Sequence, residues 1–137
     1  MRFAKKTILH GALFAFLVGM TTPAQATSSI GCQGINSDAA VNILFGAGPL
    51  LNPLSVDVFF GDREISTQPR DGVEKAAILQ FFANDNELTL ELMDEQADQH
   101  LVTVRLLRLL DGDAEPLQIG FLNIHGSGPV GITCDGP

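Results

Sequence analysis

From Ala40 onward, apolar and polar residues alternate along much of the chain with a period of two. Val41, Ile43 and Phe45 share one face of "AVNILF". Leu54, Val56, Val58 and Phe60 share one face of "LSVDVFF", with Ser55 and Asp57 opposite. In "ELTLELMD", Leu88, Leu90 and Leu92 alternate with Glu87, Thr89 and Glu91. A strand turns successive side chains to opposite faces, whereas the apolar stripe of a helix recurs every three to four residues, so the pattern predicts half-buried strands. "HLVTVRLLRLL" is less regular. Val102, Val104, Leu106 and Leu110 form one face, interrupted by Arg108, and Leu101, Leu107 and Leu109 share the other with Thr103 and Arg105. The β-branched Val102-Thr103-Val104 favours a strand, with a bulge near Leu107 and cover on both faces. "PLQIGFLNIH" alternates around Gly120. "DGVEKAAILQFF" admits a short opening helix through Val73, Ala76, Ala77 and Gln80.

Turn chemistry separates these runs. "GAGPLLNP", "GDRE", "STQPRDG", "NDN", "DEQADQ", "DGDAEP" and "GSGP" place Gly, Pro, Asn and Asp between apolar segments. The resulting eight or nine short strands predict an all-β fold, a small antiparallel β-sandwich or barrel of about eight strands.

The N-terminus has a different pattern. Arg2, Lys5 and Lys6 precede the apolar run Thr7–Met20, and Ala24 and Ala26 occupy the small positions of an A-x-A cleavage site. The run is about 14 residues, short of the roughly 20 that span a bilayer. Residues 1–26 therefore read as a cleaved signal peptide and 27–137 as one globular domain, with no membrane span after cleavage. The whole chain carries a formal charge of −8. Residues 27–137 keep all 16 acidic residues but only Arg63, Arg70, Lys75, Arg105 and Arg108, which makes that part −11. Such a surface opposes nucleic acid and anionic lipid, and it suits solubility or a basic protein partner.

Cys32 and Cys134 are the two cysteines of the chain. In an exported protein an even count points to a disulfide, here joining the two ends of the domain. A lipid anchor at Cys32 matches less well. Gly31 suits the position before a lipidated cysteine, but Ser29 stands where an apolar residue belongs, and Met20 lies 12 residues upstream. Two distant thiols also lack the close pairs of a metal site or a C-x-x-C redox motif.

Residues able to carry chemistry are sparse. His100 and His125 have no zinc-ligand spacing between them. Ser127 in "HGSGP" fails the nucleophile-elbow pattern, because His125 and Pro129 replace its glycines. Asp111–Glu115, "DGDAE", has alternate carboxylates but lacks the rest of a calcium loop. No cofactor or metal is expected. The adjacent pairs Phe59-Phe60 and Phe81-Phe82 are more informative, since one member of each must point away from the core. These four residues are the candidate binding surface.

The expectation is a non-catalytic binding or interaction module of the cell envelope, periplasmic or secreted. Two alternatives stand beside it. One is a periplasmic inhibitor of a basic hydrolase such as lysozyme, and the other a carboxylate- or metal-dependent hydrolase. The chain resembles C-type lysozyme inhibitors in outline only, as a small, exported β protein. It contains no tyrosine and therefore lacks their Ser-Gly-x-x-Tyr motif.

Overall fold

The computed structural model describes residues 27–110, 112–114 and 116–136, so residues 1–26, expected to be a signal peptide, lie outside the described residues. Nine strands follow one another: β1 (Ser28–Gly34), β2 (Ala40–Phe45), β3 (Pro53–Phe60), β4 (Arg63–Ser66), β5 (Glu74–Ala83), β6 (Glu87–Asp94), β7 (His100–Leu109), β8 (Leu117–Ile124) and β9 (Gly128–Asp135). Each pairs with its neighbour in sequence, and β9 returns to β1, closing a barrel. The all-β expectation holds, and of the two architectures it is the barrel.

Closure imposes a parity on the strands. Around a ring the number of direction reversals must be even, so nine interfaces cannot all be antiparallel. One parallel joint supplies the correction. Ile65 lies opposite Glu74 and Ser66 opposite Lys75, which makes β4 and β5 parallel. A parallel connection ordinarily needs a long crossover. Here β4 is so short that residues 67–73 alone carry the chain back. Arg70 pins that loop by pairing with Asp57 and Glu64, while the Ser66 hydroxyl donates to Asp57 Oδ1 at 2.6 Å. The other eight joints, including β1–β9, are antiparallel.

The lumen is packed rather than hollow. Ile30, Ile43, Phe45, Leu88, Leu90, Leu92, Leu106, Leu122, Ile124 and Ile132 point inward and are fully buried. Between β1 and β9, Cys32 lies directly opposite Cys134 and is bonded to it across a Cα–Cα distance of 4.0 Å. The disulfide joins the two ends of the domain from inside the barrel, because both cysteines are buried.

Three bulges alter the faces read from strict alternation. At β2–β3 the register passes from Leu44↔Ser55 to Phe45↔Pro53, which leaves Leu54 over. Leu54 is 52% exposed and Ser55 buried, the reverse of their expected faces. At β5–β6 the extra residue is Leu79, between Ile78 and Gln80. At β6–β7 it is Leu101, so the bulge lies at the start of β7 and not near Leu107. Cover on both faces of β7 is likewise not what is found, since Leu107 and Leu109 are exposed. Residues 74–83 are strand throughout, without the opening helix. The long ladder with β6, joined at the start of β5 by a two-residue pairing with β4, outweighs the weak helical spacing there.

The turn between β6 and β7 holds a non-glycine residue in left-handed backbone. Ala97 has φ 59°, and its amide donates to Asp94 O at 3.0 Å. Ala97→Gly is expected to stabilise the protein by about 0.5–1 kcal/mol, because relief of the strain exceeds the added freedom of the unfolded chain. The midpoint of urea unfolding reads this directly. A midpoint that stays or falls would show the turn to be unstrained.

Candidate functional site

The barrel has two ends. At the upper end β1, β3, β6 and β8 begin and β2, β5, β7 and β9 finish; at the lower end the opposite holds for these strands. This separates the phenylalanine pairs. Phe59 and Phe60 sit at the lower end of β3, next to the Gly61-Asp62 hairpin, and Phe81 and Phe82 at the upper end of β5. They do not form one surface. Within each pair the faces divide as strand geometry requires. Phe60 and Phe81 pack on the core, Phe59 is half-buried, and Phe82 is 47% exposed.

The upper pair borders a cleft of about 530 Å³ lined by Pro49, Leu50, Leu51, Phe81, Phe82, Ala83, Asn84, Asp85 and Arg108. Each wall has a local cause. Loop 46–52 arches over one side and is closed at its base by a hydrogen bond from Gly46 N to Asn52 O, 2.9 Å. It holds Leu50 almost free of contact, 80% exposed, while Leu51 turns back to pack on the core. On the opposite side the Leu79 bulge shifts the phase of β5, so that Phe81 rather than Phe82 points inward. Its ring packs on Phe45 with centroids 5.8 Å apart. The β5–β6 turn is built on Asn84, whose Oδ1 accepts from the amides of Asn86 and Glu87, both at 2.8 Å. Asp85 at its tip is thereby displayed on the rim.

Arg108 supplies the positive charge of this cleft. Inward positions of β7 otherwise hold Val102, Val104 and Leu106. The backbone of Arg108 is fixed to the same turn, its N–H donating to Asn86 O at 2.7 Å. The side-chain Nε is buried and has no hydrogen-bond partner among the described residues. On β8, directly opposite, lies Gln118, whose side chain is 0% exposed. Its Nε2 donates to Gly136 O at 2.8 Å, which fixes the orientation of the amide, and its Oε1 is also without a partner among the described residues. Buried polar atoms are normally satisfied. Here a donor and an acceptor are left over on neighbouring strands, and of the two residues Arg108 lines the cleft.

The remaining chemistry-bearing residues lie elsewhere. His100 opens β7 and His125 follows β8, so both stand at the lower end, where His100 Nε2 is 3.4 Å from Glu91 Oε2. Among the described residues no group of three or more His, Cys, Asp or Glu side chains is placed to hold a metal ion. Asp111 and Glu115 of the "DGDAE" segment lie outside the described residues. The outer face of β7 and β8 exposes Leu107, Leu109, Leu117, Ile119 and Phe121, with Leu107 opposite Ile119 and Leu109 opposite Leu117. Among the described residues no helix is long and apolar enough to cross a membrane.

Set against family models, curated proteins and solved structures, the chain matches none.

Proposed function

We propose that this protein is an exported, non-catalytic binding module of the cell envelope, periplasmic or secreted, and that it takes its ligand in the upper mouth of the barrel. The observation that carries this reading is the cleft lined by Arg108, where a partly buried guanidinium shares the mouth with the apolar side chains of Leu50, Leu51 and Phe82. Ligand sites are commonly concave and mostly apolar, with a few placed polar groups, and barrel mouths are among their usual positions. The disulfide supports the compartment, since such bonds persist where the surroundings are oxidising. Because the lumen is filled by its own side chains, the ligand rests in the mouth and does not pass down the axis.

The uncharged dye Nile red tests this. Saturable binding at one site per chain is expected, with fluorescence enhancement. Leu50→Asp should weaken it about tenfold, the effect of losing one large apolar contact. Leu50 is exposed enough for that substitution to leave the fold intact. Binding that does not saturate, or that is indifferent to Leu50→Asp, would remove the mouth as the site.

A further inference from the structure

We propose that the ligand of the mouth is an amphipathic monocarboxylic acid, its carboxylate held by Arg108 and its apolar chain lying along Leu50, Leu51 and Phe82. This rests on the reading of the mouth as the binding site and adds the class of molecule that enters it.

The charge pattern gives the first reason. The protein has twice as many acidic as basic residues, 16 against 8. Arg63 pairs with Glu74, Arg70 with Asp57 and Glu64, and Lys75 with Glu95. None of the ion pairs among the described residues includes Arg105 or Arg108, and of these two only Arg108 has a buried side-chain nitrogen without a hydrogen-bond partner. A cation turned into the barrel mouth, with its Nε–H buried and unanswered, leaves a charged donor under-satisfied in a chain rich in carboxylates. A carboxylate entering the cleft that Arg108 lines would offset that charge. The planar guanidinium offers parallel N–H donors matched to the two oxygens of a carboxylate.

The surroundings narrow the choice among anions. Asp85 lines the same cleft, and the chain as a whole is strongly negative, so a dianion such as a phosphate monoester is repelled more than a monoanion. Leu50, Leu51 and Phe82 line the same cleft as Arg108, which favours a ligand with an apolar tail over a small hydrophilic acid.

The experiment compares octanoate, octanol and octyltrimethylammonium, which share a chain and differ in the head group. Each is titrated by calorimetry and by displacement of Nile red. Octanoate is expected to bind about tenfold or more tightly than octanol, in line with a hydrogen bond to a charged group, and the cation most weakly. In Arg108→Gln the ratio of octanoate to octanol affinity should fall to near one, and Arg108→Lys should lie between. Leu50→Asp, which places a negative charge on the lip, should weaken octanoate more than octanol and provides the test should the Arg108 variants not fold. Equal affinity for octanoate and octanol in the unaltered protein overturns the ligand class, as does a preference that survives Arg108→Gln. In either case saturable, Leu50-dependent binding of Nile red leaves the mouth standing as the site. If neither octanoate nor Nile red binds there, both readings fall.

Discussion

Replacing Cys32 and Cys134 together by alanine lowers the stability of the barrel by about 4–5 kcal/mol, the expected loss for a loop of this size in the chain-entropy model. The bond spans 102 residues, nearly the whole described chain, so it restricts the unfolded ensemble about as much as one crosslink can. Its folded-state role points the same way. It sits in the β1–β9 seam, where only Gly31–Gly34 pair with Ile132–Asp135, a ladder shorter than that of β1 with β2. Urea unfolding of the double variant should show a lower midpoint together with a steeper dependence on urea, because the uncrosslinked chain exposes more surface when it unfolds. Since both sulfurs are buried, reductant without denaturant should leave the bond closed, and alkylation followed by mass measurement reads that. A loss below about 1 kcal/mol would mean that the hydrogen-bonded seam closes the barrel unaided and that the bond is accessory.

That pairing is legible in the amino-acid sequence because it depends on few facts. Two cysteines allow one intramolecular partner, and their positions near the ends of the domain place them on the first and last strands. Period-two alternation likewise reveals the strands, since it is a local property of the backbone. What alternation cannot carry is the closing geometry. A sandwich and a barrel both bury every second residue, and "STQPRDG" reads as an ordinary loop although it makes the one parallel joint that lets nine strands close. Bulges are hidden in the same way. One added residue at Leu54, Leu79 or Leu101 exchanges inward for outward faces without disturbing the local apolar pattern.

The site is only half legible for a related reason. Phe81 and Phe82 are identifiable as a pair that must divide between core and surface, and they border the cleft. Phe59 and Phe60 carry the same signature at the far end of the barrel, and nothing in a strand's own sequence tells which end it occupies. Arg108 does not stand out as a site residue in the sequence, although it leaves a trace there as the charge that interrupts the apolar face of β7. An arginine at an inward position is costly unless something answers it, so such an interruption points more directly to a site than an exposed aromatic does. Gln118 leaves the weaker trace of a polar residue on the alternate face of β8 from Leu117, Ile119 and Phe121. Only the register, which sets it opposite Arg108, makes the two a pair.

Gly120→Ala should be the most damaging single-methyl addition in the barrel. Gly120 is in the middle of β8, opposite Leu106 of β7, where strand residues ordinarily carry a side chain without difficulty. Its backbone φ is not what demands glycine. The demand comes from how closely β8 folds onto β7, since a Cβ built there would lie 1.8 Å from the carbonyl oxygen of Arg105 and 2.9 Å from Leu106 Cα. Neither obstacle is the mobile end of a side chain, so the methyl fits only if the two strands move apart and strain the ladder on both sides. Overpacking a core commonly costs about 1–3 kcal/mol, and with backbone as the obstacle a loss at or above the top of that range is expected. Gly131→Ala, one strand over and opposite Phe121, is the matched control. Its Cβ would meet nothing nearer than Ile35 Cδ1 at 3.5 Å, an ordinary contact, and the change should be neutral or slightly stabilising. The two midpoints of urea unfolding, compared side by side, decide the matter. If Gly120→Ala proves as mild as Gly131→Ala, β8 does not lie this close to β7. The strand carrying Gln118 would then be free to shift against Arg108, so the result bears on the Arg108–Gln118 pairing as well as on the stability of the barrel.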